Sequence, residues 1–244
     1  MAIIVFHANF VFAEATSEIR FAYTSAGAPY CWEDNSGRMQ GVFIDLLNEV
    51  FEKRMGIRTV HKGYPWSRAQ RMVEKGEMDA FCTIATPIRE KYADFCPTPI
   101  LSSEVLIVTW KDNPGKSRIL GLKSLDDLKG YRVITYRGNG FASTYKGGSI
   151  TQVENSIKAL QLVAINRYDV FFDLGLHVKY YSRIAGVEND IVGAPFAAYP
   201  VMKFRLGISR RSKWMSRIAE INNVIREIHE DGTYDAILSR YKQM

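Results

Sequence analysis

From Ile19 to Tyr241 the chain alternates short apolar runs of strand length with stretches whose apolar residues recur every three or four positions. That order calls for an α/β architecture with largely parallel sheets. The spacing predicts a helix over Val42 to Met55, where Val42, Phe43, Leu46, Leu47, Val50, Phe51 and Met55 form one stripe and Gly56 supplies a stop. Thr59 to His61 reads as a short strand, Pro65 introduces a helix from Ser67 to Lys75 closed by Gly76, and Met78 to Ile84 and Val105 to Trp110 read as strands. The stretch Lys111 to Lys123, with a Pro-Gly pair and scattered charges, is the most linker-like interior segment, which places a lobe boundary near it. A second unit follows. Ser124 and Asp127 cap a short helix ending at Gly130, strand Tyr131 to Tyr136 runs into the turn Arg137-Gly138-Asn139-Gly140, and helix Ser156 to Asn166, strand Asp169 to Phe172 and helix Leu174 to Ile184 extend it. Gly193 to Val201 reads as an irregular second crossing before strand Phe204 to Ser209, a helix from Lys213 to Glu230 and a last helix from Tyr234 to Tyr241.

Composition narrows the class. With 47% apolar and 24% charged residues, the 244-residue chain can bury one large core or two smaller ones, and neither disorder nor a collagen-like structure fits. Lys plus Arg number 32 against 26 Asp plus Glu, a net charge of +6 spread along the chain without a basic run, so no nucleic-acid partner is expected. Cys31, Cys82 and Cys96 allow at most one bridge. The apolar stretch Ile3 to Ala13 is too short to span a bilayer and ends in small residues at Val11-Phe12-Ala13 or Ala13-Glu14-Ala15. Residues 1–15 therefore read as a secretory signal, although no Lys or Arg precedes Ile3; the competing reading is a first buried strand.

Cofactor motifs fail. His7, His61, His177 and His229 stand apart from one another and from the cysteines, so no metal is expected. Gly115-Lys116-Ser117 lacks the leading glycine of a phosphate loop because Trp110 stands there, and Gly138-Asn139-Gly140 lacks the third glycine of a dinucleotide fingerprint because Ser143 replaces it. A glycine turn leading into a helix would nevertheless offer backbone N–H groups to an anion. Arg89 follows Thr86-Pro87 near the C-terminal end of a strand, where α/β sheets place ligands, or else it is a solvated arginine opening a helix. Asp173 ends the apolar run VFFD at the same kind of edge, as a ligand group, a helix N-cap, or both. Trp66 is either a stacking wall for a ligand or a packed core residue.

Several pieces in order carry a resemblance: Ala28-Pro29-Tyr30, Gly41-Val42-Phe43-Ile44-Asp45-Leu46, Gly76-Glu77-Met78-Asp79-Ala80, Thr86-Pro87-Ile88-Arg89-Glu90 with Asp94-Phe95, Ser124 to Gly130, Arg137-Gly138 and Asp231-Gly232-Thr233-Tyr234. From Ile19 to Tyr241 the chain resembles the family 3 extracellular solute-binding proteins, the polar amino-acid receptors of ABC importers, and Pro65-Trp66-Ser67-Arg68-Ala69 is similar to a divergent branch of it. The resemblance implies a two-lobe type II binding-protein fold, with residues 16–110 and 202–244 forming lobe 1 and residues 111–201 an inserted lobe 2. It implies that Arg89 grips a ligand carboxylate with help from Gly138, Asn139 and Gly140, that Asp173 receives an ammonium, and that Trp66, Tyr23 and Tyr30 form walls. Cys82, Thr83 and Ala85 replace the serines usual before the arginine, the segment from Asp79 to Arg89 is short, and Asp173 lies one residue closer to Asp169 than is common. Thr83 is kept as a site residue. Thr24 stands where receptors for basic amino acids often carry an acid, which disfavours Lys or Arg as ligand.

The expected protein is a secreted, periplasmic, monomeric, non-enzymatic receptor without cofactor that passes an amino acid or a related anion or zwitterion to an ABC permease. Two alternatives remain open at this level. One is an enzyme on the same scaffold, similar to cyclohexadienyl dehydratase, for which Glu33, Glu104 and His177 are loosely placed acid–base candidates. The other is a sensing protein that feeds a signalling receptor.

Overall fold

The computed structural model describes residues 18–141 and 145–243, so the signal segment 1–15 and Ser143 lie outside the described residues. The first sheet runs Arg58–Tyr64, Glu18–Thr24, Ala80–Ile84, Met202–Ser209 and Ala93–Phe95, with Leu101–Ser103 also paired to the Met202 strand. Glu18–Thr24 pairs parallel with Arg58–Tyr64 from Glu18↔Arg58 to Thr24↔Tyr64, while Met202–Ser209 runs antiparallel to its neighbours. Period-two alternation sorts the side chains between two covered faces. Ile19, Phe21, Tyr23, Ala80 and Cys82 join the core under helices Val42–Asn48 and Ile218–Glu230, whereas Ala22 and Phe81 join the core under helix Trp66–Lys75.

The helix expected from Val42 to Met55 is α-helical only over Val42–Asn48 and continues as a wider π-type turn over Glu49–Arg54, with the apolar stripe kept buried through Val50 and Phe51. Gly41 begins it at φ 125°, where an added Cβ would lie 2.4 Å from the Tyr30 carbonyl oxygen, so only glycine fits. Asp79, in the Gly76-to-Ala80 motif, is a structural clamp. Its carboxylate accepts the Arg20 backbone N–H at 3.0 Å, Arg20 Nε at 2.8 Å and Ser212 Oγ at 2.8 Å, tying the first strand to the chain's return from the second lobe.

The second lobe holds an antiparallel sheet in the order Phe171–Leu174, Val105–Trp110, Ile191–Pro195, and a parallel pair Val133–Tyr136 with Ile150–Val153 bridged to it at Val133 and Val170. Helices Ser156–Ala164 and Gly175–Ile184 pack on these strands. Val105–Trp110 thus pairs inside the second sheet, whereas the linker-based boundary near 111 puts it in lobe 1. Lys111 to Lys123 is a surface connection containing the short helix Lys116–Leu120, braced by Asn113, which bonds Thr109 Oγ1 and the Gly115 N–H. The segment is polar and largely exposed. We infer that the crossings run through Ser103 and Glu104 and, on the return, through the segment just before Met202.

Cys82 pairs in register with Leu206, and the Cys96 N–H donates to the Leu206 carbonyl from the opposite side at 2.9 Å. Two strand spacings, roughly 9.5 Å, separate the two cysteines, beyond the ~7 Å Cα limit of a disulfide. All three cysteines are free and buried.

Candidate functional site

A cleft of about 600 Å³ opens where the two lobes face each other. Lobe 1 contributes the C-terminal ends of its strands, with Tyr23, Thr24, Cys82 and Thr83, and the start of the helix after the next strand, with Trp66. This is where α/β sheets expose backbone ends and binding loops. Lobe 2 contributes Tyr136, Arg137 and Gly138 after one strand, Glu154, Asn155 and Ser156 between strand and helix, and His177 and Tyr181 along one helix. Aromatic rings from both lobes recur along the wall.

Of the residues expected from sequence, Tyr23, Tyr30, Trp66, Thr83 and Gly138 line this cleft, while Arg89, Asp173, Asn139 and Gly140 are not among its lining residues. Trp66 stacks on Phe81 with centroids 6.1 Å apart, and the Arg89 guanidinium lies 5.2 Å from the Trp66 ring. Arg89 is tied down beside that ring. Its Nε donates to Gln70 Oε1 at 3.0 Å and its Nη1 to the Ile84 carbonyl at 2.8 Å, and burial lowers its pKa against a raising influence of Tyr92.

Asp173 is 3% exposed. Its carboxylate accepts the Tyr136 hydroxyl at 2.8 Å and the Leu174 N–H at 2.7 Å, with His177 Nε2 at 3.4 Å. Leu174, not Asp173, holds the cap position of the following helix. Burial raises the pKa of Asp173 and lowers that of His177, each opposed by the attraction of the other. Asn139 braces its turn from inside: its N–H reaches the Tyr136 carbonyl, its Nδ2 the Phe172 carbonyl at 3.3 Å, and its Oδ1 the Phe141 N–H at 2.9 Å. Among the described residues the next regular element after that turn is strand Ile150–Val153, not the helix expected to present the N–H groups.

Tyr30 joins the lobes at the back of the cleft. Its hydroxyl bonds Ser103 Oγ at 3.0 Å and accepts from the backbone N–H groups of Leu176 and His177, the open start of the Gly175–Ile184 helix. The Ala28 carbonyl reaches His177 from lobe 1, and Trp32 meets Tyr180 at 6.1 Å. On the lobe 1 wall the Tyr23 hydroxyl bonds His61 Nδ1 at 2.9 Å, and His61 Nε2 bonds Asn48 Oδ1 at 2.7 Å. Burial pushes the pKa of His61 down to about 4 and that of the cleft thiol Cys31 up to about 12. Cys82 is raised as well, so both thiols stay protonated and are poor nucleophiles.

The Ser156, His177 and Asp173 cluster is not a nucleophile relay. Ser156 Oγ, at 2.6 Å, and Asp173 both approach the same nitrogen, Nε2, whereas a relay needs the acid on the opposite nitrogen. Tyr136, Ser156, Tyr181, Arg137 and Glu154 were not singled out as site residues from sequence; they are dispersed over three elements, and only strand and helix ends brought together by the fold reveal them. Arg205, the register partner of Thr83, has a buried Nε without a hydrogen-bond partner among the described residues.

The family model for bacterial extracellular solute-binding proteins, family 3, matches residues 19–244. The L-cystine-binding protein TcyA of Bacillus subtilis is 25% identical over 222 residues, covering 87% of this chain and 76% of that protein. Among solved structures, an ancestral cationic amino-acid solute-binding protein superposes with a TM-score of 0.73 at 22% identity, covering 92% of this chain and 95% of that one. The unliganded, open L-cystine solute receptor of Neisseria gonorrhoeae superposes with a TM-score of 0.70 at 18% identity, covering 94% of each. These structures share the two-lobe type II fold with this chain. No helix among the described residues is long and apolar enough to cross a membrane.

Proposed function

The chain belongs to family 3 of the bacterial extracellular solute-binding proteins, and from that membership we propose that it captures a small amino-acid-like solute between its lobes and delivers it to the permease of an ABC importer. The observation that carries this reading is the aromatic cleft between the lobes, with walls from Tyr23, Trp66, Tyr136 and Tyr181 and a volume of about 600 Å³. A cleft that draws walls from both lobes favours the closed state once filled, because only closure brings both walls onto the solute. In this reading Tyr23, Tyr30, Trp66, Thr83 and Gly138 touch the solute, Arg89 and Asp173 hold Trp66 and Tyr136 in place, and the protein works as a periplasmic monomer.

The names of its relatives direct the first trial to L-cystine, whose central disulfide suits an apolar, aromatic middle. The cleft thiols do not oppose this, since burial raises the pKa of both Cys31 and Cys82 and leaves too little thiolate to attack a disulfide. An enzymatic role draws less support. Glu33 and Glu104 are exposed and outside the lining, and His177 is engaged by Ser156, Asp173 and the Ala28 carbonyl.

The test is a thermal-shift series of the chain from Thr16 onward with L-cystine, the twenty amino acids, dicarboxylates and polyamines. A solute that binds only the folded state at 100 times its Kd adds about 2.7 kcal/mol, which for a chain of this size is a rise of several degrees. A rise with cystine or another α-amino acid supports the proposal, and a rise confined to polyamines or non-amino dicarboxylates overturns it.

A further inference from the structure

Helix Gly175–Ile184 belongs to lobe 2 by chain order, yet it presents three faces with different partners. Residues three and four apart share a face of a helix. Val178 and Ser182 are buried, Val178 in the second-lobe core with Leu160 and Phe171. His177 and Tyr181 face the cleft. Leu176, Tyr180 and Arg183, at i, i+4 and i+7, face lobe 1. Leu176 is 8% exposed within the lobe 1 core, Tyr180 meets the Trp32 ring at 6.1 Å, and Arg183 Nη1 donates to the Gln243 carbonyl at the end of helix Thr233–Gln243. Trp32, Tyr180 and Arg183 are not among the cleft's lining residues. Their contact reaches the cleft through a neighbour: Tyr180 packs edge-on to Tyr181 at 5.1 Å, and Tyr181 meets the His177 ring at 4.5 Å.

Resting on the capture reading above, we propose that the Leu176, Tyr180 and Arg183 face is a latch outside the cleft: it holds the lobes in the orientation that receives the solute, and Trp32 and Tyr180 set the affinity as positioning residues without touching the solute. In the present orientation both lobes line one cleft, so a solute meets both walls there. A lobe-to-lobe contact made in that orientation and lost when the lobes separate raises the fraction of chains ready to bind, and the apparent affinity rises with that fraction. The chain is arranged to couple the two events. Trp32 lies on strand Cys31–Glu33 directly after the cleft residues Tyr30 and Cys31, and Tyr180 directly precedes the cleft residue Tyr181. Each lobe thus carries a latch residue next to a wall residue, so separating Trp32 from Tyr180 also draws Tyr181 away from the lobe 1 wall.

The experiment has two arms, both on the whole mature chain, in the wild type, Tyr180→Ala, Tyr180→Phe, Trp32→Leu and the double variant Trp32→Leu with Tyr180→Ala. Should a Trp32→Leu chain lack a cooperative melt, Tyr180→Ala against Tyr180→Phe carries the comparison alone. The first arm needs no solute. Spin labels at the exposed positions Glu74→Cys, on helix Trp66–Lys75, and Lys158→Cys, on helix Ser156–Ala164, report the lobe-to-lobe distance. A longer-distance population grows in Tyr180→Ala and Trp32→Leu, while Tyr180→Phe, which keeps the ring, matches the wild type. Identical distributions in all chains overturn the latch. The second arm is calorimetric titration with L-cystine and with whichever standard amino acid gives the largest thermal shift. Tyr180→Ala and Trp32→Leu each bind about threefold or more weakly, and Tyr180→Phe stays within about 1.5-fold of wild type. The double variant is no weaker than the weaker single one, because the two rings form one contact. Unchanged or tighter binding by Tyr180→Ala, or losses that add in the double variant, overturns the proposal and leaves capture standing. A wild type that binds none of the amino acids removes the capture reading, and the distance arm then decides the latch by itself.

Discussion

Acidification gives the sharpest quantitative handle on the cleft wall, through His61. The ring is held neutral: Nε2–H donates to Asn48 Oδ1, and Nδ1 accepts from the Tyr23 hydroxyl, itself buried. A second proton on Nδ1 would face that hydroxyl and charge a ring stacked on Phe21 at 5.3 Å. Burial accordingly lowers the pKa from an ordinary 6.5 to about 4, against a small raising influence of Glu52. Between these values the unfolded chain binds a proton that the folded chain refuses, so stability is full above pH 6.5 and falls as the pH drops toward 4. A shift of 2.5 units at 1.36 kcal/mol each amounts to about 3 kcal/mol. The assay is urea unfolding at half-unit steps from pH 7.5 to 4, comparing wild type with His61→Gln, which keeps a donor and an acceptor but cannot titrate. His61→Gln starts less stable at pH 7.5, and the gap closes by about 3 kcal/mol on the way to pH 4. Parallel curves for the two proteins would refute the reasoning, since the other buried titratable groups, among them His177, Asp173, Asp79 and Glu49, are common to both.

Asp79→Asn leaves Arg20 without its anionic partner and weakens the clamp on Ser212; a loss of about 2–3 kcal/mol in urea is expected, with the Arg20 end discounted for its exposure. Gly41→Ala forces a Cβ to within 2.4 Å of the Tyr30 carbonyl oxygen at φ 125°, so a loss above ~2 kcal/mol is expected, visible as a lower melting temperature together with weaker solute binding because Tyr30 moves.

Much of the fold is legible in the sequence because burial dictates it locally. The alternation of Ile19, Phe21 and Tyr23 and the stripe from Val42 to Phe51 each satisfy one periodicity, and the structure keeps both. The helix after Pro65 begins at Trp66 rather than Ser67 and ends, as expected, at Gly76 with φ 76°. Short edge strands such as Ala93–Phe95 and Ile150–Val153 escape notice because three or four residues carry no readable period. The lobe boundary near 111 is the instructive departure: exposure and hinge function produce the same Pro-Gly and charge signal, and only strand pairing assigns Val105–Trp110 to the second sheet. In the site, Tyr23, Thr83 and Gly138, which the resemblance suggested, lie at strand ends that line the cleft, where α/β topology gathers chain ends. That Arg89 would stack on Trp66, and that His177 would cover Asp173, depends on side chains from elements distant in sequence, which no local pattern encodes.

The central claim is that one amino-acid-like solute occupies the cleft between the lobes. It is tested most directly by calorimetric titration of the solute identified by thermal shift into the wild type and into Ala26→Trp, an exposed lining position where an indole fills the cleft without entering either core. The account predicts saturable binding of one solute per wild-type chain and at least a hundredfold weaker binding to a normally folded Ala26→Trp. Undiminished binding to the plugged chain would contradict it.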